Sequence, residues 1–426
     1  MNFVRNIGAM AISSLLGQAV LIGSGIIAAR GLGPEERGQL ALVVLVPIIV
    51  AQLAQMGLPV ALNYYVAADR GLAVSSRRPV LVQALMRLLL ALLLFASALA
   101  LAHGQLPEGL LLPAALMMFA IVGLIAQEYG YAVLQGLDRF RQVAIARLVP
   151  AASYSLIACA LWWLDRVTLL SLSVAWACSY LLSAVVALSM VARVGIPDAH
   201  NGEVRTVQEL QRFGLRAFIG SASPMETFRL DQIIGATLLG PAALGLYVVA
   251  QSFSTLPRII ASNSGFVIYA DAASRAAEGR AGVQRLLVKV LKLSAVNAAF
   301  CLLLAAVLPW LNPLFFGEEF GAATAASQWL VLAAWIGATR KFLGELAKGL
   351  GQPMIQTWCE ILVLPALLLL AWNLVRDGQP DSLAITLVVA QLVVVMLCTA
   401  LLARAIRTIP LATEPGQVGP VTVDGR

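Results

Sequence analysis

Glu226, Arg229 and Asp231 stand together in the middle of an otherwise apolar run, just after Pro224. In water such a triplet would be ordinary. In hydrocarbon an ionisable side chain is costly unless it faces a partner or a wet cavity. Apolar runs elsewhere hold the cations Arg87, Arg147, Arg258, Lys289, Lys292, Arg340 and Lys341 and the acids Glu128, Glu345 and Glu360. With the triplet included, eight cations meet five acids, so positive charge is left over. Such a surplus suits recognition of an anion, and the arginine fork matches phosphate in a two-pronged geometry.

Spacing and depth sort these residues. Glu226 and Arg229 are three apart, share a helix face and can pair. Asp231 lies about 200° round the helix from Arg229, so it needs a partner on another span or a wet cavity. Arg258, beside Pro257, is a candidate for that partner or for a phosphate ligand, and Arg340 and Lys341 fall in the inner half of a later run. Lys289 and Lys292 open their run and read as snorkelling anchors. Arg87 fits either role, and Glu128 with Arg147 reads as readily as a structural salt bridge as a transport site. The pattern predicts an anion site of Arg229, Arg258, Arg340 and Lys341, with an ion or proton site at Asp231, Glu226 or Glu128. The competing reading is a purely structural charge network.

Signals for other chemistry are missing. The five cysteines, Cys159, Cys178, Cys301, Cys359 and Cys398, sit in apolar runs without a CxxC pair, and His103 and His200 lie at segment ends. Neither a zinc site nor a disulfide framework is expected. No GxxxxGK[ST] occurs, so no nucleotide hydrolysis is expected, and no cofactor or catalytic residue is assigned.

The elements that must position these charges are membrane helices. Hydrophobic residues are 60% of the 426, charged residues 12%, and mean hydropathy is +0.87. A soluble fold is about 45–50% apolar and about 25% charged, so lipid must solvate much of this chain. The net charge of +7 is scattered over short loops, which argues against nucleic acid. A helix needs about 20 residues to cross. That criterion gives spans near 7–29, 38–66, 80–102, 109–134, 142–164 and 167–192, then 213–238, 242–270, 285–311, 322–347, 354–375 and 382–403. The expected division is a first half over 1–192, a linker over 193–212, a second half over 213–409 and a disordered tail over 410–426. One set of termini and loops holds fifteen Lys and Arg and the opposite set only Arg30, Arg37, Arg166 and Arg376. That bias places both termini in the cytoplasm. Trp162, Trp163 and Trp310 fall at the opposite face and read as interface anchors.

The halves repeat. LGPEERG (Leu32 to Gly38) and LGPAALG (Leu239 to Gly245) both join two apolar runs, 207 positions apart. Gly suits the end of one helix and Pro the start of the next. Leu134 to Arg141 (LQGLDRFR) and Ala347 to Pro353 (AKGLGQP) correspond in the same way, with Gly136 and Gly349 213 positions apart. Like halves of parallel topology can rock about an axis along the membrane normal.

ARGLGPEERGQLAL (Ala29 to Leu42), MGLPVALNYY (Met56 to Tyr65), LQGLDRFR and RLDQIIGATLLGPAALGLY (Arg229 to Tyr247) resemble the polysaccharide flippase family. That family belongs to the multidrug/oligosaccharidyl-lipid/polysaccharide exporter superfamily. The resemblance runs in order across all twelve spans. It implies an all-α polytopic, MATE-like membrane protein, with twelve transmembrane helices in two six-helix pseudo-symmetric halves. The implied activity is translocation of a polyprenyl-diphosphate-linked oligosaccharide across a bacterial inner membrane for surface polysaccharide synthesis, O-antigen or exopolysaccharide among them. The implied partners are that glycan, membrane lipids and polysaccharide polymerase or ligase machinery. The nearest rival is an exporter of drugs or organic cations, whose cavity should be acidic where this one is basic. A polysaccharide polymerase or ligase would need a long outward loop, and every outward loop here is short.

Overall fold

The structure, a computed structural model, describes residues 2–68, 77–104, 107, 109–194, 207–221, 229–275, 279–375 and 378–407. Among them there are helices and turns but no strand. The expected tail over 410–426, most of the linker, Pro224 and Glu226 lie outside the described residues.

The first half holds α1 (Asn2–Gln55), α2 (Leu58–Ala68), α3 (Arg77–Ala102), α4 (Leu111–Gly136), α5 (Phe140–Trp163) and α6 (Leu169–Arg193). Next come α7 (Val207–Ser221), α8 (Leu230–Leu238), α9 (Pro241–Arg275) and α10 (Gly279–Phe316). A 3-10 turn over Glu318–Ala323 leads to α11 (Thr324–Gly349), α12 (Pro353–Leu374) and α13 (Pro380–Arg407). Ten stretches among the described residues are long and apolar enough to cross a membrane. The first of these, Leu16–Gln55, joins parts of the first two expected spans, and the end of the second falls in α2. Unbroken, the 54 residues of α1 would reach about 80 Å, far beyond about 30 Å of hydrocarbon. Gly33, at φ 71° and ψ 178°, breaks the helix, and that backbone geometry is open essentially to Gly alone.

Span seven departs from the expected continuous, kinked helix. Its first part, α7, packs on the first half: Leu210 joins that core, and Phe213 stacks on Tyr64 with ring centroids 4.5 Å apart. Its last part, α8, packs on the second half, where Ile234 joins the buried cluster. Arg229, in the left-handed conformation, begins α8. Residue 213, where the second half was expected to open, thus falls inside a helix that packs on the first through Leu210 and Phe213.

Each half otherwise buries its own core. Within the first, α4 approaches α6 closely because Gly123 and Gly130 carry no Cβ; an added one would lie 2.5 Å from Tyr180 backbone and 2.8 Å from Ala187. Small residues allow such approach between membrane helices. Outward faces are apolar, as on α3, where Leu81, Leu85, Met86 and Leu89 are exposed. Exposed Trp163, Trp310 and Trp372 lie toward helix ends, as interface anchors do.

The turns after α4 and α11 are the same turn. Arg139 N donates to Leu134 O at 2.8 Å and Gln352 N to Ala347 O at 2.9 Å. Asp138 N bonds Gln135 O and Gly351 N bonds Lys348 O, each at 3.0 Å. Every partner is displaced by 213 positions, the offset of the sequence repeat. The left-handed position is Asp138 in one copy and Gly351 in the other. The two LGP turns agree less closely, since Gly33 has positive φ and Gly240 does not.

Those LGP turns meet one another. A Cβ on Gly38 would lie 1.8 Å from Pro241 O, and one on Gly245 would lie 1.9 Å from Pro34 O. Main chain thus touches main chain reciprocally, closing this end of the bundle. Beside the contact, Arg30 of the first half donates through Nε to Phe315 O (2.8 Å) and through Nη2 to Leu314 O (2.5 Å), at the end of α10. Cations favour the carbonyl end of a helix. Ala29 completes the seal among Phe253, Phe316 and Phe320.

This closure makes a prediction. In a background without native cysteines, Gly38→Ala or Gly245→Ala should force the turns apart. A cysteine in place of Leu42, which packs against the second half, should then react faster with a water-soluble maleimide. Gly104→Ala, which meets open space, should leave the rate unchanged.

Candidate functional site

Asp231 falls in the first turn of α8 and is only 3% exposed. Its Oδ2 accepts from Tyr247 Oη at 3.2 Å and Gln251 Nε2 at 2.5 Å, both on α9. Gln232 Nε2 in turn donates to Gln251 Oε1. The carboxylate is therefore held by neutral donors. The three-residue spacing of Ser254 and Gln251, and of Arg258 one turn on, puts the next polar groups along the same helix.

Arg258 donates to its own helix, through Nε to Ser254 O (3.2 Å) and through Nη2 to Ser254 Oγ (2.5 Å). Ser262 Oγ donates to Arg258 O, and Lys341 Nζ donates to Ser262 Oγ at 2.9 Å. Arg340 is 6% exposed. Its Nη1 lies 2.6 Å from Glu360 Oε1 on α12, and its Nε donates to Gln391 Oε1 on α13 at 3.2 Å. Asp231, Arg258, Arg340, Lys341, Gly337 and Gln391 surround one cavity of about 50 Å³. Pockets for organic ligands span about 300–1,000 Å³. In this conformation the cavity has room for a water or a small ion, and a diphosphate needs it to widen.

The residues singled out in the sequence thus divide. Arg258, Arg340, Lys341 and Asp231 come together in the second half. The charge of Arg340 is met by Glu360. Arg229 does not line that cavity; it is exposed, and its charge acts on Asp231 and on Tyr180 of α6. The pairing of Glu226 with Arg229 lies outside the described residues. Glu128, on α4, is in electrostatic reach of Arg147, but no ion pair joins them among the described residues. Arg147 instead stands 5.5 Å over the Tyr131 ring. Tyr131 Oη lies 2.8 Å from Ser183 Oγ and 3.1 Å from Ala146 O, which ties α4, α5 and α6 together. Lys289 pairs with Asp271 at 2.7 Å and Lys348 with Glu345 at 2.9 Å. Arg87 Nη1 bonds Met56 Sδ at 3.2 Å.

Arg37 escaped the sequence reading, which placed it with the outward loops. It follows Pro34 by three residues and lies one turn into the second segment of α1. Its guanidinium is in electrostatic reach of Tyr154 on α5 and of Arg229 across the halves. Its Nε is shut in without a hydrogen-bond partner. The signal was the helical register: Arg37 shares a face with Leu40, which is 3% exposed.

Two halves with cores of their own thus meet at one end, and the charged cavity lies within the second. Solved structures agree on the fold. One is titled an inward-facing multidrug resistance MATE family transporter of the MOP superfamily, with TM-score 0.73 and 15% identity over 93% of this chain and 99% of that one. Another is the lipid II flippase MurJ in an inward closed conformation, with TM-score 0.71 and 10% identity over 94% of this chain and 88% of that one. A MOP superfamily transporter from Pyrococcus furiosus gives TM-score 0.62 and 15% identity over 94% and 95%. Among curated proteins, none matches the sequence. The profile of the family described as "Polysaccharide biosynthesis protein" matches residues 3–269, and the chain belongs to that family. It is a multi-pass membrane protein that shares its fold with those transporters and the flippase.

The Arg340–Glu360 pair predicts a stability pattern. Arg340→Met takes the guanidinium away from the largely buried Glu360 carboxylate and should cost about 3–5 kcal/mol, and adding Glu360→Leu should recover most of it. Thermal unfolding in detergent checks this. An equal loss in the double variant would show that the ion pair does not decide the stability.

Proposed function

We propose that the protein moves a polyprenyl-diphosphate-linked oligosaccharide from the cytoplasmic to the outer leaflet of a bacterial inner membrane. The sugar–diphosphate head occupies the space between the halves while the polyprenyl tail stays in lipid. A head group so polar cannot cross about 30 Å of hydrocarbon unaided at a useful rate. The observation that carries the reading is Arg258, a cation inside an apolar span that forms no ion pair with a carboxylate among the described residues.

In this reading Arg229, Arg258, Arg340 and Lys341 face the diphosphate as the cavity widens, with Glu360 orienting Arg340. Asp231 is the ion or proton site, its carboxylate presented by Tyr247 and Gln251; Glu128 is the corresponding candidate in the first half. Charge bias puts the termini in the cytoplasm, so the closed LGP end faces outward and substrate enters from the cytoplasmic side. The halves then rock to reverse access.

The test is transfer of a fluorescent polyprenyl-diphosphate-linked glycan across reconstituted vesicles. Protein-dependent transfer is expected. Arg258→Ala should slow it about 10- to 100-fold, the worth of charge-assisted hydrogen bonds, with partial recovery in Arg258→Lys. Efflux of organic cations without glycan-lipid transfer would overturn the proposal. Deleting the gene should also trap lipid-linked glycan on the inner leaflet.

A further inference from the structure

Arg30 and Phe315 stand just outside the seal that closes the LGP end. Their chain neighbours Ala29 and Phe316 are 0% and 1% exposed and belong to the seal itself. Arg30 is exposed, and so are Leu314, Phe315 and Trp162. With Ile26 and Ile27 these residues line an open cavity of about 220 Å³. Its walls come from both halves: the end of the first segment of α1, the last turn of α5 and the last turn of α10. All three are helix ends, and a half-exposed indole such as that of Trp162 belongs at the level of lipid headgroups. The walls are apolar apart from Arg30, which is the only charged residue lining them among the described residues. Arg30 spends Nε and Nη2 on the carbonyls of Phe315 and Leu314, which are dipoles and leave its unit charge without a counter-ion. No ion pair joins it to a carboxylate among the described residues, and the Glu319 carboxylate lies instead against Gly33.

We propose that this notch binds one anionic phospholipid, with the phosphate on Arg30 and the start of one acyl chain over Ile26 and Ile27. The guanidinium fork suits a phosphate, and basic pockets between membrane helices take acidic headgroups. Ile26 and Ile27 stand four and three residues before Arg30, so they share its helix face one turn deeper in the membrane. A headgroup on Arg30 therefore directs its chain down that face. The volume falls short of the about 300–1,000 Å³ of pockets that enclose a ligand, as fits a lipid held at its glycerol end with the rest in the bilayer. Because both halves supply walls, the bound lipid bridges them, and parting the LGP turns takes Leu314 and Phe315 away from Arg30. The phospholipid thus favours the closed arrangement of this end. The site does not depend on which cargo the protein carries.

The test uses the full chain in detergent micelles supplemented with phosphatidylglycerol, or with zwitterionic phosphatidylcholine of the same chains. Phosphatidylglycerol should raise the unfolding temperature by a few degrees over phosphatidylcholine. That increment should vanish in Arg30→Gln and survive in part in Arg30→Lys. Ile27→Trp, which fills the notch and keeps the cation, should abolish it as well. In vesicles, the cysteine in place of Leu42 should react more slowly with maleimide when phosphatidylglycerol is present, and Arg30→Gln should remove the difference. An increment that stays whole in Arg30→Gln or in Ile27→Trp overturns the proposal, because the lipid then acts elsewhere on the surface. So does stabilisation by a polyprenyl phosphate that phosphatidylglycerol does not share, which gives the notch to a carrier lipid.

Discussion

A guanidinium inside a membrane protein must find an electron-rich partner, and the second half of this chain provides several kinds. Arg340 has a carboxylate and an amide, Arg258 has a hydroxyl and a carbonyl of its own helix, and Arg30 has the carbonyl end of α10. Translocon measurements put an unmet arginine at helix centre at about 2.5–3.5 kcal/mol. A chain that pays this repeatedly in one region needs the charge for something. The partners differ, too: Arg340 is neutralised, whereas Arg258 is met by a hydroxyl and a carbonyl without being neutralised.

The two halves share a plan and differ in cargo-handling groups. Matching turns after α4 and α11 repeat hydrogen bond for hydrogen bond, so the backbone plan is duplicated. The polar interiors are not. Around Tyr131 the first half builds a closed hydrogen-bond network spanning three helices, whereas the second half gathers charge round a small cavity. Span seven belongs to both, through α7 on one side and α8 on the other, and Arg229 stands where the second of these begins.

Much of the architecture was legible because lipid demands it. Apolar run length locates spans, and the LGP and GL turns carry Gly, Pro and Asp where helices must stop and restart. The division of span seven was not legible: α7 and α8 read together as a single apolar run, and only tertiary packing separates them. The grouping of Arg258, Arg340 and Asp231 was half legible, since depth along each helix follows from numbering while rotation toward a neighbour does not. Arg37 was missed because membership of a loop motif hid its register with Leu40. The partner of Arg340 was missed for another reason: Glu360 lies on α12, and nothing in linear spacing says which helix stands beside α11.

The reciprocal glycine contact also bears on how fast such a molecule can change shape. The contact itself is main chain on main chain, so parting it asks little of the side chains. What becomes bare is a pair of proline carbonyls near the membrane face, and water can hydrate those at once. The barrier to parting at that end is then set less by unpacking than by the Arg30 clasp and the neighbouring phenylalanines, a small toll for a machine that must open on every cycle.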